Sequence, residues 1–154
     1  GFADSLAASA SGKPILLVGE SITNTQLTFL KSVNVQKYII VGGVKSINTS
    51  IEKHLQSMGD VKRVSGADRY KTSVAIANHF FKNPKRVIIG NGDNFPDGLC
   101  GGVLADRLGS PLLLINEINT ESAKQYIKHN SIKNQIILGG KAIISDKTAN
   151  ALVG

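Results

Sequence analysis

The sequence predicts an α/β protein built from two units in tandem, each a parallel sheet covered by helices. Three observations carry that expectation. Short runs of Val, Ile and Leu alternate with longer segments whose apolar residues recur three and four positions apart. The short runs are apolar at successive positions, as strands buried on both faces require. The chain also resembles itself at a nearly fixed offset.

Self-similarity sets the frame. Phe2-Ala3-Asp4-Ser5-Leu6-Ala7 matches Phe95-Pro96-Asp97-Gly98-Leu99-Cys100, 93 residues on. From Pro14-Ile15-Leu16-Leu17-Val18 against Pro111-Leu112-Leu113-Leu114-Ile115 the offset becomes 97, which places a four-residue insertion near Asp106-Arg107-Leu108-Gly109. That offset then holds. Glu20 meets Glu117, Thr23 meets Thr120, Ile39-Ile40-Val41-Gly42-Gly43 meets Ile136-Ile137-Leu138-Gly139-Gly140, and Leu55 meets Leu152. Residues 1–60 thus read as a partial repeat without its opening strand and helix, and residues 61–154 as a second, nearly complete one.

The elements follow in order. In the first unit Asn48 to Ser57 forms a helix with Ile51, Leu55 and Met58 on its buried face, and Val61 to Val64 is a short strand or extended joint whose sheet spacing alone does not decide. A helix over Ala67 to Phe81 opens on Ser65 and Asp68 in capping-box spacing and carries an apolar stripe of Tyr70, Val74, Ala77 and Phe81. Arg86 to Gly90 is a strand, Phe95 to Leu108 a helix, and Leu112 to Ile115 a strand admitted by Pro111. Thr120 caps a helix that Asn130 stops by competing for backbone hydrogen bonds. Gln135 to Leu138 is the next strand, and Ser145 caps a last helix with Ala149, Leu152 and Val153 on its apolar side.

A 154-residue chain with 42% hydrophobic residues buries a real core. One cysteine, no tryptophan and three scattered histidines exclude disulfide scaffolds, Cys-based metal centres and His-rich ligand motifs, so no cofactor or metal site is expected. Cys100 reads as a small apolar core residue. No run of about eighteen apolar residues marks a transmembrane segment. The formal charge of +7, from 18 Lys and Arg against 11 Asp and Glu, favours an anionic partner without choosing among nucleic acid, wall polymer and membrane.

Candidate residues cluster at loops. Gly90-Asn91-Gly92-Asp93-Asn94-Phe95 joins a strand end to a helix start, yet it has neither GxGxxG nor a Lys-Ser/Thr phosphate loop, and Asp93 and Asp97 repel phosphate there. Asp97, with Asp4 as its repeat, is expected in the first turn of a helix, accepting amide hydrogen bonds or pairing with Arg69. Asp68 and Gly66 shape the start of the helix that follows them, while Gly139 and Gly140, like Gly42 and Gly43, serve a tight strand-to-helix turn. Arg63, Arg69, Lys128 and Lys133 are the candidates for contacting an anionic polymer, with a groove at the junction between units as the expected place. His54, His79 and His129 fall on separate helices without a nucleophile and an orienting acid, so no catalytic residue is assigned.

The ordered set Arg63-Val64-Ser65-Gly66-Ala67-Asp68-Arg69-Tyr70, Asn91-Gly92-Asp93-Asn94-Phe95-Pro96-Asp97-Gly98-Leu99, Pro111-Leu112-Leu113-Leu114 and Ile137-Leu138-Gly139-Gly140 resembles the type 2 cell-wall-binding repeat of clostridial and bacillar surface proteins. Gly98 stands where that family commonly has Ala, and Cys100 where Ser or Ala is frequent. The resemblance covers Arg63 to Gly154, with Phe2 to Gly59 similar to the later part of a preceding copy. It implies Rossmann-like units and no catalysis. It also implies a secreted protein held non-covalently to an anionic wall polysaccharide or teichoic-acid-like polymer of a Gram-positive cell wall, with neighbouring repeats as packing partners and nucleic acid as none. The competing readings are a spacer that positions neighbouring domains and, behind it, an enzyme acting on a phosphorylated or nucleotide substrate.

Overall fold

Apolar runs too short for helices become strands, and the amphipathic segments between them become helices that cover both faces. The computed structural model describes residues 2–94 and 96–153, with the side chains of 96–99 and 153 outside the description. In order these are α1 (Phe2–Ser9), α2 (Asn24–Ser32), β1 (Lys37–Val41), α3 (Thr49–Gln56), β2 (Asp60–Val64), α4 (Arg69–Phe80), β3 (Arg86–Asn91), α5 (Pro96–Arg107), β4 (Leu112–Ile115), α6 (Glu121–His129), β5 (Asn134–Ile137) and α7 (Asp146–Val153). Two parallel sheets result, one of order β1-β2 and one of order β4-β3-β5. The α/β expectation holds, and β2 joins the first sheet by pairing along its whole length with β1.

The second sheet is the centre of mass of the core. All four residues of β4 and five of the six in β3 are buried. One face, carrying Val87, Ile89, Leu113 and Ile115, packs on Ala77 of α4, Tyr126 and Ile127 of α6 and Leu152 of α7. The other, carrying Ile88, Leu112 and Leu114, packs on Ala105 of α5 and on Ala3 and Ala10 in and just beyond α1. Each such Leu or Ile contributes about 1.5–3 kcal/mol of burial. The first unit keeps a smaller core of Leu30, Tyr38, Ile40, Ile51 and Leu55.

The four-residue insertion is one extra helical turn: α1 has 8 residues and α5 has 12. Four local expectations need correction. Ser65 and Asp68 make no capping box, because Asp68 is itself the N-cap of α4, accepting from the Lys71 amide at 2.7 Å. The stripe assigned to α4 is too narrow as well. Thr72, Ser73 and Ile76 are buried, since the helix is packed from several sides and the Ser73 hydroxyl reaches the Leu114 amide of β4 at 3.0 Å. Thr120 precedes α6 with helical φ and ψ, so its side chain makes no cap hydrogen bond. Cys100 is exposed, because α5 turns Gly101, Gly102 and Ala105 inward instead.

Candidate functional site

The loops that leave the strands at their carboxyl ends are where α/β sheets collect ligands, and here they are tied to one another. Asn91, the last residue of β3, accepts at its side-chain oxygen from the Asp93 amide at 2.6 Å and the Asn94 amide at 3.2 Å, and donates from Nδ2 to the Ile143 carbonyl at 3.3 Å. The Tyr70 hydroxyl of α4 donates to Asp93 at 2.6 Å, and the Asn116 amide donates to both, at 2.8 and 2.9 Å. Burial, helped by the adjacent Asp93 carboxylate, pushes the Tyr70 hydroxyl up to about 12. Hydrogen bonds from Tyr70 and then Asn116 hold the Asp93 carboxyl below its usual range.

Glu117 performs the same service one strand over. Its carboxylate accepts from the Ser145 amide at 2.9 Å, the Ser145 hydroxyl at 3.0 Å and the Thr148 hydroxyl at 2.6 Å, which fastens the start of α7 to the end of β4. In the first unit its repeat partner Glu20 uses the backbone carbonyl instead, accepting from the Asn48 side chain at 2.7 Å, while Asn48 caps α3. Among the described residues these loops are tied to one another by their own hydrogen bonds.

The sequence candidates are dispersed. Arg63 is largely buried and turned inward, donating to Glu52 at 3.0 and 3.3 Å and to the Gly42 carbonyl at 2.8 Å. Arg69 donates to the Gly92 carbonyl at 2.6 Å and has a further partner, so it clamps the loop after β3. Asp97 lies in the first turn of α5, as expected, but its pairing with Arg69 falls outside the described side chains. Asp4 is buried in the first turn of α1, against Gly42. Gly42 and Gly139 take φ of 111° and 93°, the left-handed turn that glycine permits. Gly66 is held by space, since an added Cβ would lie 2.5 Å from Lys71 backbone. Lys128 and Lys133 are exposed, one on the last turn of α6 and one before β5.

Among the described residues two grooves stand out, both lined by the second unit. One, of about 450 Å³, runs between α4 and α6 past Lys71, Asn78, Gln125 and Tyr126. The other, of about 430 Å³, lies at the opposite end of the sheet from the loops, where Lys82, Lys85 and Arg86 gather beside Phe81, Ser110 and Asn134. That basic group is not among the sequence candidates, although three cations in the five residues Lys82-Asn83-Pro84-Lys85-Arg86 were the signal.

The sequence matches the family described as cell wall binding domain 2 over residues 1–52 and 63–149. The chain belongs to the cell wall binding domain 2 family. It is 32% identical over 133 residues to an amidase enhancer of Bacillus subtilis, a match covering 86% of this chain and 18% of that protein. It is 33% identical over 93 residues to N-acetylmuramoyl-L-alanine amidase LytC of the same organism, covering 60% and 19%. Among solved structures it superposes on Cwp8 from Clostridium difficile with a TM-score of 0.79 at 28% identity, covering 97% of this chain and 27% of that one. Cwp6 from the same organism gives 0.88 at 23% identity, a likeness of fold, with coverage of 97% and 25%. This chain thus spans about a fifth to a quarter of these relatives.

As a cell wall binding domain 2 chain it shows, among the described residues, no group of three or more His, Cys, Asp or Glu placed to hold a metal. The histidines sit apart on α3, α4 and α6. No described helix is long and apolar enough to cross a membrane.

Proposed function

We propose that this chain anchors a secreted surface protein non-covalently to an anionic polymer of a Gram-positive cell wall. Membership of the cell wall binding family carries the reading, and the +7 charge supplies the attraction. Residues 1–60 act as a partial repeat and 61–154 as a nearly complete one, packed as neighbours. Catalysis is assigned elsewhere: the amidase named among the relatives is about five times longer than the stretch it shares with this chain. Exposed lysines such as Lys128 and Lys133 each add a weak, screened contact, and strength comes from many contacts on one polymer.

The test is retention on purified walls across a salt series. Native walls should retain the protein, walls stripped of anionic polymer should release it, and rising salt should weaken binding. Neutralising Lys128 or Lys133 alone should change retention by no more than about fivefold, as expected of a surface pair worth at most ~1 kcal/mol. Full retention on stripped walls overturns the reading. The engagement of Arg63 and Arg69 in hydrogen bonds within the chain favours a second reading, a spacer that holds neighbouring domains, which predicts retention on neither kind of wall.

A further inference from the structure

We infer that the groove at the amino end of β3 is the place where the anionic polymer is held, an inference that rests on the wall-anchoring reading. Lys82, Lys85 and Arg86 line it, and no acidic residue does. Lys82 and Lys85 are exposed. Arg86 is half-buried, with no hydrogen-bond or ion-pair partner for its side chain among the described residues, unlike Arg63 and Arg69. A guanidinium partly withdrawn from water and left unpaired is a receptor for an oxyanion, because it offers a fork of donors that a phosphate or carboxylate satisfies two at a time.

The turn is preorganised for this. Asn83 takes a left-handed φ of 53°, and the buried Pro84 fixes the next φ, so Lys82 and Lys85 are displayed on either side of a rigid corner. Arg86 pairs in register with Asn134 of β5, which brings the exposed Lys133 beside the same rim. Phe80 and Phe81 form an apolar wall on which a sugar ring can lie. The chemistry recognised is a chain of sugar or polyol units carrying phosphate or carboxylate at intervals.

The experiment compares charge-matched variants of the whole chain. Lys82→Gln/Lys85→Gln/Arg86→Gln should lose retention on native walls by tenfold or more, on the order expected when several anion contacts vanish together. Lys31→Gln/Lys45→Gln/Lys53→Gln, three exposed lysines of the first unit, removes the same charge and should lose less than about twofold. Because Arg86 is half-buried, the double variant Lys82→Gln/Lys85→Gln is measured beside it and should fall in between. Titration with soluble wall polymer should shift the amide resonances of Lys82, Lys85, Ser110 and Asn134 first. Equal losses in the two triple variants, or none in the groove triple while the parent still requires the anionic polymer, overturn the groove and leave the anchoring reading standing. Equal affinity for duplex DNA overturns recognition of wall polymer at this groove. A parent chain that native walls do not retain overturns both.

Discussion

Glu117 shows how one side chain can be placed by repetition and still acquire its own work. Its carboxylate accepts three hydrogen bonds from Ser145 and Thr148, and the Ser145 amide is the main cause holding it below its ordinary value of 4.5. A depressed folded pKa means the unfolded chain binds the proton more readily, so the stabilisation is present above the unfolded value and is lost as pH falls through the folded one. Stability should therefore fall more steeply for the parent than for Glu117→Gln between about pH 6 and pH 3, the carboxylate range, and the variant should be less stable at neutral pH. Thermal melts across that range decide it, and parallel curves would remove Glu117 from the account. The sequence disclosed Glu117 only as the partner of Glu20. Nothing in its spacing revealed a carboxylate folding back onto Ser145, 28 residues later at the head of α7, because that contact depends on where β4 and α7 come to lie. The hydrogen bonds that join Tyr70, Asn91 and Asn116 to the neighbouring loops were hidden for the same reason, each residue being ordinary in its own segment and meaningful only once three loops converge.

At the scale of elements, identical patterns meet different fates. Leu112–Ile115 is wholly buried and pairs with β3, whereas its repeat, Pro14 to Val18, has no strand pairing, with Ile15, Leu16 and Leu17 exposed at 43%, 41% and 64%. The physical difference lies in the neighbour: β4 has β3 alongside, and no described segment takes that place beside Pro14 to Val18. Local pattern specifies what a strand needs, and pairing supplies whether it forms. Helices and paired strands were legible because their periodicity and caps are local, as at Ser145, where the side chain does accept from the helix backbone. Buried polar positions such as Thr72 and Ser73 were not, since hydroxyls lie outside an apolar stripe until a neighbouring strand or turn offers them a partner. Hydrogen exchange should separate the two repeats: amides of Ile15 to Val18 should exchange at least ~100-fold faster than those of Leu113 to Ile115, reflecting openings of very different free energy. Equal protection would mean that Pro14 to Val18 is paired in solution.

Across the whole molecule the two repeats share their cores through α1. Ala3 and Ala10 pack under the second sheet, while Ala7 and Ala8 join Val64 of β2 and Ile76 of α4. The first repeat's helix thus lies against its own counterpart, α5, and the approach is close enough that a Cβ on the buried Gly102 would meet the Ser9 hydroxyl, with Ser9 Cβ at 3.0 Å and the Leu6 carbonyl at 3.4 Å. Small residues on both helices let the backbones approach, and the contact ties the folding of one unit to the other. Gly102→Ala should destabilise the chain despite its gain in helix propensity, by about 1–2 kcal/mol as overpacking in a tight interior does. Ser9→Ala removes the atom that the new methyl meets first, so the double variant should recover most of that loss, a coupling of about 0.5–1.5 kcal/mol between residues 93 apart. Urea melts of the four species should each show a single transition, because α1 cannot leave one core without opening the other. Additive losses in the cycle would place the strain inside α5 alone, and two separated transitions would show that the sheets fold independently and that α1 belongs to only one of them.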